Sequence, residues 1–201
     1  MAVNMKKIVS PLDQDVIASL HAGDMVSLTG RVITARDQVH KYLASGGKPP
    51  IDLTGLVIYH CGPVVIEENS RWRITAAGPT TSMREEPYED KIISRFHPGA
   101  IMGKGGMGEK TLQALKTHGC VYLHVTGGAA RYLAQRISKV ESVYMLEFGQ
   151  PEAMWVLAVE NLPALVTMDS HGESLHRRIR DESIRRLEAA YERSFRITGQ
   201  D

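Results

Sequence analysis

Residues 101–130 read IMGKGGMGEKTLQALKTHGCVYLHVTGGAA. The apolar pair Ile101-Met102 runs into a glycine-rich turn, GKGGMG (103–108), and a helix follows with Leu112 and Leu115 on its inner side. A second apolar strand, Cys120 to Val125, enters a second glycine turn at Gly127-Gly128 and then a helix from Ala129 to Ile137. Two strand–turn–helix units in succession predict strands laid side by side with helices packed on them.

The same alternation extends toward the N-terminus. Residues 1–9 read as a lead-in strand, and Ser10-Pro11-Leu12-Asp13 as a helix start with Ser10 as the cap. Leu12, Val16, Ile17 and Leu20 mark one face of that helix, which Gly23 ends. Met25 to Thr34 reads as a strand, or as two strands bent at Gly30, and Asp37 to Leu43 as a helix. Gly55–Val65 and Trp72–Ala77 read as a hairpin about the polar turn 67–71. Thr80 or Thr81 is placed to cap a helix running toward Arg95. Beyond the glycine turns, Val143–Phe148, Trp155–Val159 and Ala164–Met168 read as three strands. Glu182 to Arg193 reads as a charged helix with Ile184, Leu187 and Tyr191 on one face. The order predicts an α/β fold, a mixed sheet with flanking helices. It forms one domain over 1–201, in which 180–201 is a helical tail.

Composition narrows the function. The chain has 201 residues, with 24 Lys+Arg against 23 Asp+Glu and a net charge of +1. That balance argues against a nucleic-acid partner held by bulk charge, but leaves room for a local cationic pocket. No apolar run reaches the length of a membrane span, and the N-terminus lacks the apolar core of a secretory signal, so the expectation is a cytoplasmic protein. The two cysteines, Cys61 and Cys120, cannot build a four-Cys zinc site or supply the ligands of an iron–sulfur cluster. Both lie in apolar runs, and buried free thiols are expected.

Four constellations carry chemistry. In GKGGMG (103–108) the glycines let backbone N–H groups converge, a helix N-terminus adds partial positive charge and Lys104 a full one, a setting for a carboxylate or phosphate. The spacing matches neither a Walker A loop nor a dinucleotide fingerprint. In GPTTSMR (78–84) three hydroxyls and Arg84 stand at a strand end, where a guanidinium fork matches a carboxylate. In TARDQVH (34–40) Arg36 offers a second clamp, and Asp37 or His40 could hold it or cap the helix. Asp169-Ser170-His171 has the residue types of a hydrolytic triad, but neighbours in sequence rarely reach the relay geometry, so a turn or a subunit contact is expected. No histidine spacing supports a metal site. Three cations at strand ends suit a small dicarboxylate better than a polymer.

At these residues the sequence resembles the β subunit, or C-terminal domain, of the iron–sulfur class I fumarases and L-tartrate dehydratases. TARDQVH (34–40), GPTTSMR (78–84), GKGGMG (103–108), GGAA (127–130), FGQPEAMW (148–155) and VTMDSHG (166–172) come in the family's order. The resemblance implies a swivelling β/β/α domain and a hydro-lyase acting on a dicarboxylate. It implies a [4Fe–4S] cluster on a separate α subunit, whose free iron binds the departing hydroxyl, in a heterotetramer. By motif, Arg36, Arg84 and Lys104 would hold the substrate carboxylates, Thr81 would orient them, and Thr80 would handle the proton on carbon. A threonine alcohol needs a carboxylate behind it, and an aspartate of the α subunit is the implied source. Gln150 and Met168 depart from the family pattern, outside the expected pocket. Fumarate is the implied substrate, with L-tartrate, mesaconate or a non-catalytic anion-binding module as alternatives.

Overall fold

The computed structural model describes residues 5–69 and 71–198. A seven-stranded mixed sheet has the order β1-β2-β3-β6-β7-β9-β8, and β9 pairs with β2 as well. The strands are β1 (Lys6–Ser10), β2 (Met25–Thr34), β3 (Val57–Tyr59), β6 (Ala100–Gly103), β7 (Val121–His124), β8 (Ile137–Tyr144) and β9 (Met154–Met168). The first five are parallel neighbours, whereas β9 runs antiparallel to β7, β8 and β2. Because β9 bonds to both β7 and β2, it closes β2, β3, β6 and β7 into a barrel-like ring. A separate hairpin joins β4 (Val64–Glu68) to β5 (Arg71–Ala76).

Alternation along the strands sorts the apolar residues into two cores. Val57, Tyr59, Ala100, Met102, Val121 and Leu123 point into the ring with Trp155, Leu157 and Val159. Their neighbours Ile58, Ile101 and Tyr122 point outward, against α2 (Asp37–Ala44), α3 (Glu86–Phe96) and α4 (Glu109–His118). The remaining helices among the described residues are α1 (Gln14–Ala18), α5 (Ala130–Ala134) and α6 (Leu175–Thr198). None of the described helices is long and apolar enough to cross a membrane.

Several boundaries differ from the sequence reading. Ser10 belongs to β1, and the cap of α1 is Asp13, whose carboxylate accepts the Val16 N–H at 2.8 Å. The expected hairpin from Gly55 splits: Val57–Tyr59 enters the main sheet, and only Val64–Glu68 pairs with β5. Ile137 starts β8 rather than ending α5. Trp155–Val159 and Ala164–Met168 are parts of one strand, since a bulge opposite Thr29, with Asn161 at φ 50°, carries β9 past Pro163 without breaking it. Of one strand or two about Gly30, the structure has one, with a register shift against β9 just before Gly30. The Gly30 φ is +107°, and a Cβ there would collide with the Ser10 carbonyl oxygen of the adjacent strand. The tail helix begins at Leu175, earlier than expected, and Ile184, Leu187 and Tyr191 lie exposed on it.

Candidate functional site

The carboxyl ends of β2, β3, β6 and β7 lie along one rim of the sheet, the usual place for a site where parallel strands end. The segment 78–84 crosses that rim. Cys61, after β3, bridges to Pro79, and the Thr80 N–H donates to the His60 carbonyl at 2.7 Å. Thr81 forms a parallel bridge with Lys104, after β6, and the Ser82 N–H donates to the Lys104 carbonyl at 3.0 Å. Thr80 and Thr81 are thus tied to the strand ends and neither caps α3, whose cap is Glu85; Thr81 precedes the 3-10 turn without a side-chain cap bond. Ser82–Arg84 forms a 3-10 turn, and α3 begins only at Glu86.

These bonds bring the five expected site residues to one rim. Arg36 follows β2 and lies over Gly62, 3.4 Å from the Glu152 carboxylate. Its Nε is buried and has no hydrogen-bond partner among the described residues. Arg84 is half exposed and ion-paired with Asp37, next to Arg36. Lys104 packs its stem on Gly127 of the second glycine turn and has no ion-pair partner among the described residues. The Thr80 and Thr81 side chains make no hydrogen bond to described residues and Thr81 is exposed. Two of the three cations thus already face an internal carboxylate, and Lys104 alone does not.

The glycine-rich turn differs from the pattern reading. Its helix N-terminus already holds an anion. The Glu86 carboxylate accepts the Gly108 N–H at 2.7 Å and the Thr111 hydroxyl at 2.7 Å. A side chain at 108 would push that carboxylate away, because a Cβ there would lie 2.5 Å from Glu86 Oε1. The three hydroxyls of GPTTSMR also part company, since Ser82 turns inward and is fully buried. Asp169 organises a turn by accepting N–H groups of Ala22, His171 and Glu173, which leaves no triad. Asp37 pairs with Arg84, and His40 meets the backbone carbonyl of Arg36.

Behind the rim lies a buried polar chain that sequence reasoning missed. Tyr122 donates to Ser82 Oγ at 2.8 Å, and Ser82 Oγ meets His60 Nδ1 at 2.9 Å. His60 Nε2 and His40 Nε2 both meet Glu89 Oε2, at 3.1 and 3.0 Å, and His40 Nδ1 lies 3.0 Å from the Arg36 carbonyl. Glu85 is buried too, with no hydrogen-bond partner among the described residues and its Oε2 3.7 Å from His40 Nδ1. Burial alone would lower the His40 pKa, but the carboxylates of Glu89 and Glu85 hold it up at about 9. Burial would raise Glu89, yet the charge of His40 and the bonds from both histidines pull it down to about 2. Burial pushes Glu85 up to about 7 against the pull of His40, and Asp37 beside it adds to the rise. The sequence carries only a faint trace of it, the four-residue spacing from Glu85, at the cap of α3, to Glu89 and a histidine directly after an apolar strand. His40, His60 and Glu89 lie close enough to hold a metal, and in this structure both histidines direct Nε2 at the Glu89 carboxylate.

The family model described as Fumarase C-terminus matches residues 1–179. The chain belongs to this family. It is 54% identical over 179 residues to a Geobacillus stearothermophilus protein provisionally named fumarate hydratase class I, covering 89% of this chain and 35% of that protein. It is 39% identical over 189 residues to a Methanocaldococcus jannaschii protein provisionally named L(+)-tartrate dehydratase subunit beta, covering 91% and 97%. It is 35% identical over 174 residues to the L(+)-tartrate dehydratase subunit beta of Escherichia coli K12, covering 85% and 87%. The chain thus spans about a third of the first relative and most of the other two. The fumarase C-terminus match covers every site residue named above.

This chain does not fit an iron–sulfur cluster. Its cysteines are free, buried and divided between the two cores, Cys61 inside the ring and Cys120 under the helices. Burial pushes the Cys61 thiol up to about 12 and raises Cys120 as well, whereas a cluster ligand must be a thiolate.

Proposed function

We propose that this chain is the dicarboxylate-binding β subunit of a hydro-lyase that interconverts fumarate and L-malate. The observation that carries the reading is the Thr81–Lys104 bridge, which sets GPTTSMR beside GKGGMG on the rim that also holds Arg36. Arg36 and Lys104 offer donors with unfilled hydrogen-bonding capacity, and Arg84 can exchange Asp37 for a substrate carboxylate in a charge-assisted pair. Thr81 orients the substrate, and Thr80 holds or delivers the proton on carbon. The threonine proton passes to a carboxylate of the partner, so the site is shared between two chains. The [4Fe–4S] cluster belongs to that α subunit, in a heterotetramer with two copies of each chain. The family match and the higher identity to the fumarate hydratase relative support this reading.

A second reading, L-tartrate to oxaloacetate, has its own support: the relatives that this chain covers nearly end to end are named tartrate dehydratase β subunits. The substrates differ by a hydroxyl, which a site built to hydrogen-bond it discriminates strongly. The test is anaerobic co-expression with the cluster-bearing partner. Fumarate absorbance is followed with L-malate, and oxaloacetate formation with L-tartrate. Malate turnover that needs both chains is expected. Turnover of tartrate alone transfers the reading to the second reaction, and none on either, with complex and cluster intact, refutes both.

A further inference from the structure

The buried chain links the substrate-facing segments to one another rather than to solvent. At one end it holds the Arg36 carbonyl. At the other it holds Ser82, which sits between Thr81 and Arg84 and whose N–H reaches the Lys104 carbonyl. The donors can be assigned from the acceptors. The Arg36 carbonyl only accepts, so His40 Nδ1 carries a proton, and His40 Nε2 donates to the Glu89 carboxylate. His40 is then an imidazolium. His60 donates from Nε2 to the same carboxylate, which leaves its Nδ1 to accept the Ser82 hydroxyl, and Tyr122 donates to Ser82 Oγ. The bonds run without conflict from Tyr122 to Glu89 and from His40 to both its partners.

We propose that His40, Glu89, His60 and Ser82 form a positioning relay that fixes Arg36, the 80–84 segment and Lys104 relative to one another for dicarboxylate binding. None of the four is a substrate ligand. Glu89 is the centre, since two histidines from different elements converge on one of its oxygens. A pair of neutral apolar side chains would fill the same space without specifying the angle between the β2–α2 and 78–84 segments. Gly103 leaves room for the Ser82 hydroxyl, because a Cβ there would overlap it and come within 3.2 Å of the Tyr122 oxygen.

This inference rests on the hydro-lyase reading for its kinetic arm only. In the full chain complexed with its partner, Ser82→Ala is expected to raise KM for the dicarboxylate about tenfold, the scale of one to two buried hydrogen bonds. A relay that served folding alone would lower apparent kcat through lost active protein and leave KM unchanged, and that result overturns the proposal. Glu89→Gln is expected to move KM further, and if it fails to fold the Ser82 variant decides. The second arm needs no activity: nitrogen-15 spectra of the wild-type full chain at neutral pH are expected to show His40 protonated on both ring nitrogens and His60 on Nε2 alone. Any other proton placement overturns the relay, even where neither dicarboxylate is turned over.

Discussion

Replacing Gly103 by alanine puts a methyl group where the Ser82 hydroxyl lies, with the Tyr122 oxygen at 3.2 Å and His60 Cβ at 3.3 Å. The strand backbone at 103 is bonded to β7 and cannot retreat, so Ser82 must rotate away. Rotation breaks its bonds to His60 and Tyr122 and leaves two buried polar groups unpaired, costing ~1–3 kcal/mol. Residual crowding adds ~1–3 kcal/mol. The sum is roughly 4 kcal/mol, or about 8–16 °C in melting temperature for a chain of this size. Urea unfolding of Gly103→Ala, Ser82→Ala and the double variant measures it. Removing the hydroxyl first removes the clash, so the double variant is expected to be more stable than the two single losses sum to, by ~1–2 kcal/mol. Additivity within ~0.5 kcal/mol would refute the argument that Ser82 and position 103 compete for one space.

Gly30→Ala meets the Ser10 backbone, which has no rotamer to yield, and at φ +107° the residue is strained as well; a loss above ~3 kcal/mol is expected in the same unfolding assay. Arg84→Ala removes an exposed side chain whose partner Asp37 keeps water, so the melting temperature should hold while kcat/KM for the dicarboxylate falls by the equivalent of ~2–5 kcal/mol; wild-type kinetics would exclude Arg84 as a carboxylate ligand. Glu89, Glu85 and His40 together contribute most stability near pH 5, whereas His60, His124 and His176, whose pKa burial lowers, add stability as pH rises toward their ordinary value of 6.5. Glu89, held at about 2, contributes stability above its ordinary value of 4.5 and loses it as pH falls toward 2. Glu85, raised to about 7, loses its contribution as pH climbs from 4.5 through 7, and His40, at about 9, as pH climbs from 6.5 through 9. Urea midpoints across that range check it, and Glu89→Gln should flatten the alkaline limb. Cys61 and Cys120 should resist a thiol reagent in the native chain and react in denaturant; native labelling would contradict their burial.

The sequence announces the parts of this fold that are built from local signals. The helix at Asp37 and the one after GKGGMG follow from apolar spacing, and the strand at Cys120 from its apolar run. The motifs also fall together on one rim, since Arg36, Thr80, Thr81, Arg84 and Lys104 all follow or cross strand ends. What stayed hidden depends on pairing across the chain. Val57–Tyr59 looks like the arm of a hairpin until β2 and β6 claim both its edges. Asn161 and Pro163 look like a break until Thr29 supplies the hydroxyl that holds the Asn161 N–H. Glu85, Glu86 and Glu89 look like a solvated helix face. Only tertiary contact turns one toward Asp37, one to the α4 terminus and one between two histidines.

The double duty of β9 has a consequence for how this chain is made. Residues 25–34 and 121–124 emerge from the ribosome well before 154–168, yet both strands need β9 to satisfy an edge. Until residue 168 clears the exit tunnel, the nascent sheet carries two open seams and an apolar interior with Trp155 missing from it. The closed sheet is therefore a late product of synthesis, and the interval in which its apolar interior and strand edges lie open falls before β9 arrives.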